Sequence, residues 1–203
     1  LNRKQLLIFV MGITSGIPLY LILSTLFIWL TRDNIDITTI GLFALTQIPW
    51  TIKFIWAPLI DNYNIPFLTN FIGQRKGWLF VTQIFLILSI VGLGFSEPSK
   101  NLETTALFAL MVAFFSATQD IIVDAYRIEI LEDENQGAGA AVTQFGYRIG
   151  GIFAGAGSLY LKSYFSWNLV FTIVAFLLLI FMVLIILIPI KNDKRKKKRS
   201  QNN

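Results

Sequence analysis

The chain has 203 residues, of which 55% are hydrophobic and only 14% charged, against roughly 25% charged in a soluble domain. It contains neither cysteine nor histidine, which excludes disulfides, thiolate and imidazole metal ligands, cysteine nucleophiles, Ser-His-Asp triads and histidine pH switches. Much of the net charge of +5 comes from the segment 191–199, with seven basic residues and one acid; directly after an apolar run, this reads as a cytoplasmic topology signal near anionic lipid and not as a nucleic-acid site.

The apolar runs predict an all-α polytopic membrane protein with six transmembrane helices, at about 5–30, 37–60, 77–95, 104–131, 138–161 and 164–190, each long enough for a core of ~30 Å at 1.5 Å per residue. The bundle is expected over 1–190, and 191–203 as a basic cytoplasmic tail or the start of a longer loop. The first run is too long for a cleavable signal peptide and lacks a small-residue cleavage site. Placing both termini in the cytoplasm puts Arg3, Lys4, Arg75, Lys76 and the basic tail inside, against Arg32, Lys100 and Lys162 outside, as the positive-inside rule demands.

The fourth run carries the decisive feature. Segment 116–127 places Asp120, Asp124 and Arg127 at i, i+4 and i+7, so a helix stacks all three on one face. An ionised side chain at membrane depth costs at least ~2.5–3.5 kcal/mol, and nothing in helix formation requires it. Such a stripe normally faces a bundle interior or a water-filled path, which points to a transporter; if protons move, Asp120 and Asp124 are the carboxylates to carry them. Counting from the inner ends, Asp120 and Arg148 each lie about eleven residues deep, ~16 Å at the helical rise, and Lys53 and Asp124 share a shallower level. Depth matching therefore pairs Asp120 with Arg148 and Lys53 with Asp124. The plainer alternatives are that such pairs only fasten the bundle and that Lys53 snorkels to the inner surface.

Gly12-x-x-x-Gly16 in the first run, and Gly146-x-x-x-Gly150 and Gly151-x-x-x-Gly155 in the fifth, are small-residue faces that let helix backbones approach closely. Pro18 and Pro49 fall within runs and can bend them. Trp29, Trp56, Trp78 and Trp167 lie near span ends and read as interface anchors, whereas Trp50 sits inside the second run between Gln47 and Lys53.

Several blocks carry a resemblance: Thr39-Ile-Gly-Leu-Phe-Ala-Leu with Lys53-Phe-Ile-Trp-Ala-Pro-Leu-Ile-Asp61; Arg75-Lys-Gly-Trp78; and Ser116-Ala-Thr-Gln-Asp, Asp124-Ala-Tyr-Arg-Ile-Glu-Ile-Leu131, Gln136-Gly-Ala-Gly-Ala-Ala141 and Gly146-Tyr-Arg-Ile-Gly150. Together they resemble the anhydromuropeptide permeases of the AmpG type, within the major facilitator superfamily, over nearly the whole chain apart from the tail. The resemblance implies proton-coupled import of N-acetylglucosaminyl-1,6-anhydro-N-acetylmuramic acid and its peptide forms across the bacterial inner membrane, for peptidoglycan recycling. A membrane-bound enzyme is a weak reading, and no cofactor or metal is expected, because the chain has no histidine, cysteine, metal cluster or Gly-x-Ser-x-Gly motif and its aspartates lie in a helix. The resemblance also implies that the six helices are the N-terminal half of a twelve-helix fold, two three-helix inverted repeats, with the site between this half and a C-terminal six-helix half that is missing here.

On that reading Asp120 and Asp124 are proton-coupling residues. Gln47, Trp50, Lys53, Gln119, Arg127, Gln144, Tyr147 and Arg148 would meet the muropeptide sugar, with Arg148 pairing a substrate carboxylate. Asp61, Arg75 and Lys76 look like the superfamily's gate loop between helices two and three, although Ala57 stands where that motif often has glycine; a plain surface loop is the alternative for Arg75 and Lys76. Helices one, two, four and five would line the cavity, and three and six would face lipid. Two rivals remain: another sugar or peptide as cargo, or a non-transporting half-bundle that is an interaction protein or a degraded remnant.

Overall fold

The computed structural model describes residues 2–188 and contains helices and no strand among them. The tail expected over 191–203 lies outside the described residues. Four helices are long and apolar enough to cross a membrane: Arg3–Arg32, Gln74–Gly94, Leu102–Ile130 and Trp167–Leu187. They are the first, third, fourth and sixth of the expected spans, with ends within a few residues of the sequence reading, and they make the chain a multi-pass membrane protein. The last is the most apolar, with a mean hydropathy of 3.4, because no polar side chain interrupts it after Thr172.

The other two expected spans are helical but broken. The second runs as Ile37–Leu42, a 3-10 stretch Phe43–Gln47, Ile48–Ile52, a second 3-10 stretch Lys53–Ile55, and Ala57–Asn62. Each 3-10 stretch precedes a helical turn with proline in its first two positions, Pro49 and Pro58. Proline has no N–H, and its ring collides with the carbonyl four residues back, so the backbone tightens upstream of each ring. The fifth segment is α-helical over Gln136–Ile152, opens into a π-helical turn over Phe153–Gly157, and closes as Ser158–Lys162. The first span has a matching π-helical turn, Leu21–Leu26, shortly after Pro18. The two turns are joined where the Thr25 hydroxyl donates to the Ala154 carbonyl.

Glycine sets the tightest packing. The first span and the fifth segment interdigitate: a Cβ on Gly12 or Gly16 would strike the carbonyls of Thr143 and Tyr147, and one on Gly146 or Gly150 would strike those of Phe9 and Ile13. The small-residue faces predicted from spacing are thus one shared seam, in which backbone lies on backbone.

Two apolar clusters fill the bundle. One gathers Ile13, Leu21, Leu86, Ile90, Val112 and Phe171; the other gathers Leu7, Met11, Leu79, Ile122, Val123 and Ile185. The first span changes cluster between Met11 and Ile13, the third between Leu79 and Leu86, and the fourth between Val112 and Ile122. At that level the buried side chains are polar or small: Thr14, Ser15, Thr82, Gln83, Ser116, Thr118 and Gln119, beside Ala113 and Ala117.

The tryptophans correct an expectation. Trp29 and Trp167 are buried and stack on each other with ring centroids 5.3 Å apart, and both pack on Phe171. They close the core where the first span ends and the sixth begins, since two large rings lose more water contact against each other than at a polar boundary. Trp56 donates to the Thr118 hydroxyl and Trp78 to the Tyr63 carbonyl.

Candidate functional site

The fourth span presents Asp120 to the broken second segment. The Lys53 ammonium lies 3.8 Å from Asp120, whose side chain is only 14% exposed. Asp124 pairs instead with Arg127 of its own helix, at 3.5 Å. Both pairings differ from the depth estimate, which set Asp120 against Arg148 and Lys53 against Asp124. One reason is local: the 3-10 stretches rise about 2.0 Å per residue instead of 1.5, so Lys53 sits at a different level from the one a regular helix gives it. The other is angular. Gly146 and Gly150 point at the first span, so Arg148, midway between them, points away and is exposed. Arg148 makes no ion pair among the described residues.

Around Asp120 the structure gathers groups from two further elements. Ser15 of the first span lies beside its carboxylate. Tyr147 of the fifth segment lies within electrostatic range of it and packs edge-on against Tyr20 at 6.2 Å. Gln47 and Trp50 are half-buried on the second segment, where Trp50 packs on the first apolar cluster and its indole N–H is buried without an acceptor. Gln144 is exposed one helical turn before Arg148. The pair thus opens to the surface through Lys53, which is 33% exposed, and Gln144 and Arg148 are exposed on the fifth segment, which also carries Tyr147.

Two expected ligand-facing residues lie elsewhere. Gln119 is fully buried, and its amide donates to Thr14 Oγ1 at 3.1 Å, tying the fourth span to the first. Arg127 donates to the Gln136 carbonyl at 3.4 Å and so braces the corner between the fourth span and the fifth segment.

A second constellation forms at the end of the bundle where the first span begins. Arg75 donates to Asp61 and to Glu129, each at 2.7 Å, and thereby joins the end of the second segment to the fourth span. Gln74 donates to the Asp61 carbonyl at 2.9 Å. Gly73, at φ +87°, supplies the left-handed residue that turns the chain into the third span. Lys76 does not share this cluster: it is buried and donates to the Ile186 and Ile188 carbonyls at 3.2 and 2.7 Å, capping the last turn of the sixth span, where a cation meets the negative end of the helix dipole.

Sequence reading missed Glu129, Ser15 and Tyr20. Glu129 stands two residues after Arg127 in a block singled out for other members, on the opposite side of the helix from the stripe, so the spacing gave no signal for it. Ser15 is hidden inside a stripe of small residues, and Tyr20 sits beyond a proline; neither carries a local mark.

The profile of the Major Facilitator Superfamily matches residues 6–203. The chain belongs to the major facilitator superfamily. Among its superfamily relatives it is 39% identical over 191 residues to the anhydromuropeptide permease of Escherichia coli K12, covering 94% of this chain and 38% of that protein. It is 40% identical over 189 residues to the putative transporter AmpG 4 of Rickettsia felis, covering 92% of this chain and 45% of the relative, and 35% identical over 186 residues to the putative transporter AmpG 1 of Rickettsia bellii. The chain thus spans less than half the length of these curated superfamily relatives.

Proposed function

We propose that this chain forms the N-terminal helical half of a secondary transporter that imports anhydromuropeptides together with protons across the bacterial inner membrane, for peptidoglycan recycling. The observation that carries the reading is the Lys53–Asp120 pair, which opens to the surface through Lys53, in a chain 39% identical to a protein named anhydromuropeptide permease. Ionisable side chains at membrane depth are expensive and mark ion or substrate paths.

In this mechanism Asp120 and Lys53 are a proton switch. With Asp120 ionised, Lys53 neutralises it. Protonation of Asp120 removes that attraction and releases Lys53 toward the surface, where Arg148 and Lys53 can meet a lactyl or peptide carboxylate. Gln47, Trp50, Gln144 and Tyr147 offer hydrogen bonds and ring surface to the sugars. A further helical bundle closes over this surface, and rocking of one bundle against the other exchanges access. The Asp61–Arg75–Glu129 cluster acts as the gate at the cytoplasmic end, holding the second segment to the fourth span in one state and releasing it in the other. The sealed seam between the first span and the fifth segment moves as one body.

The test is uptake of radiolabelled GlcNAc-1,6-anhydroMurNAc by cells that lack their own permease and express the complete transporter. Accumulation that rises with an inward proton gradient, and that unlabelled anhydromuropeptide but not other sugars competes away, supports the reading. Competition by an unrelated sugar or peptide alone reassigns the cargo, and uptake indifferent to the gradient removes the proton coupling.

A further inference from the structure

Four of the buried polar side chains between the two apolar clusters, Ser15, Gln83, Ser116 and Gln119, leave atoms without a hydrogen-bond partner. Gln83 is fully buried, and neither its amide nitrogen nor its carbonyl oxygen has one. The same holds for Ser116 Oγ, Ser15 Oγ and Gln119 Oε1, in side chains at most 3% exposed. These atoms come from the first, third and fourth spans and share one level. Phe85 stacks on Phe115 at 5.3 Å, and Gly92 faces the Phe108 ring; this antiparallel register sets Gln83 level with Ser116 and Gln119. Gln119 is tied to Thr14, the neighbour of Ser15, and Ser15 lies beside Asp120.

Each unpaired buried donor or acceptor carries a penalty of about 1–3 kcal/mol. Ser15 Oγ can donate to the Asp120 carboxylate beside it; the other four still represent a large share of the stability of a domain, about 5–15 kcal/mol. Buried water commonly resolves such clusters, with ~3 hydrogen bonds per molecule to groups that lack partners. Direct pairing is the alternative, because the Ser116 hydroxyl and the two N–H groups of the Gln83 amide are donors for the two glutamine carbonyls, but none of these bonds forms in the structure.

We propose that this layer is a binding site for internal water, held by Gln83, Ser116, Gln119 and Ser15 between the first, third and fourth spans, and that it hydrates Asp120 from the side of Ser15. Binding of water stands on the cluster alone; its role at Asp120 rests on the proton-coupled reading above. Water there gives the carboxylate a hydrogen-bonded contact inside the bundle that does not pass through Lys53, so that loading a proton and holding a substrate need not compete for the same space.

Water-edited solid-state NMR on the full chain in lipid, with uniform carbon-13 and nitrogen-15 labelling and sequential assignment, tests the site directly. The Gln83 side-chain amide is expected to gain water magnetisation at a rate comparable to that of exposed Gln144, and Ser116→Ala to slow that gain. A Gln83 amide as dry as the backbone of Leu86 and Ile90 overturns the proposal, and so does a Ser116→Ala effect seen as a shift of the Gln83 signal with no water transfer, which marks direct pairing. Neither result depends on transport: a dry layer leaves the uptake reading standing, and failed uptake leaves a wet layer standing.

Discussion

The Lys53 ammonium stands 3.8 Å from the Asp120 carboxylate and links the broken second segment to the fourth span. Lys53 is one-third exposed and Asp120 far less, so the pair reaches the surface while its acid is turned inward. Removing either partner leaves the other without its counter-charge at membrane depth, where an ionised side chain is expensive. In the complete transporter, Asp120→Asn is expected to abolish proton-driven accumulation while sparing substrate exchange across a membrane with no proton gradient. Lys53→Met is expected to reduce accumulation about tenfold, the factor that corresponds to ~1.4 kcal/mol. Wild-type accumulation by Asp120→Asn would falsify the switch.

The seam between the first span and the fifth segment makes a contrast between glycines. Gly16→Ala drives a methyl group into the Tyr147 carbonyl, whereas Gly41 has nothing within 4 Å of the equivalent position. Overpacking against backbone is expected to lower the unfolding free energy of Gly16→Ala by about 1–3 kcal/mol. Gly41→Ala in the helix Ile37–Leu42 is expected to be neutral or to gain ~0.5–1 kcal/mol. Denaturant unfolding in mild detergent reads both, and equal effects would show that the seam is not backbone-limited.

Arg75 holds two carboxylates at once, with its own side chain 14% exposed and its partners at 49% and 36%. Exposure limits each bridge to about 1 kcal/mol or less. Arg75→Lys loses the planar fork that reaches both acids and is expected to behave much like Arg75→Ala in stability. The loss for either variant is expected to shrink in 1 M salt, where the screening length falls to ~3 Å. A salt-independent loss would point to packing as the role of the side chain.

Sidedness has a clean test because the chain has no cysteine of its own. Asn34, at φ +58° in the turn after the first span, and Asn135, before the fifth segment, lie at opposite ends of the bundle. With a cytoplasmic N-terminus, Asn34→Cys is expected to react with a membrane-impermeant maleimide in intact cells and Asn135→Cys only after permeabilisation. The reverse pattern inverts the orientation.

The long helices were legible because their signal is summed over many residues: an uninterrupted apolar run such as Trp167–Leu187 has one reading. The glycine seam was legible because a spacing of four repeats on both helices. What failed was arithmetic that assumed a uniform helix. Two prolines in the second segment change its rise, and with it the partner of Lys53. Trp29 and Trp167 were misplaced for another reason: nearness to a span end does not reveal which way a ring points, and only the meeting of two helices fixed it. Arg75 shows the same limit, since its second partner, Glu129, lies 54 positions away and nothing local announces the contact.

At Gly12, Gly16, Gly146 and Gly150 the neighbour is the peptide backbone itself, which no compensating change of side chain elsewhere can trim. Every amino-acid replacement of glycine adds at least a Cβ, so any missense change in one of these four codons imposes a clash that a second-site mutation cannot relieve by shrinking a partner. Natural variation at the seam should therefore be silent at these codons, and revertants of a damaged seam should be true reversions and not suppressors.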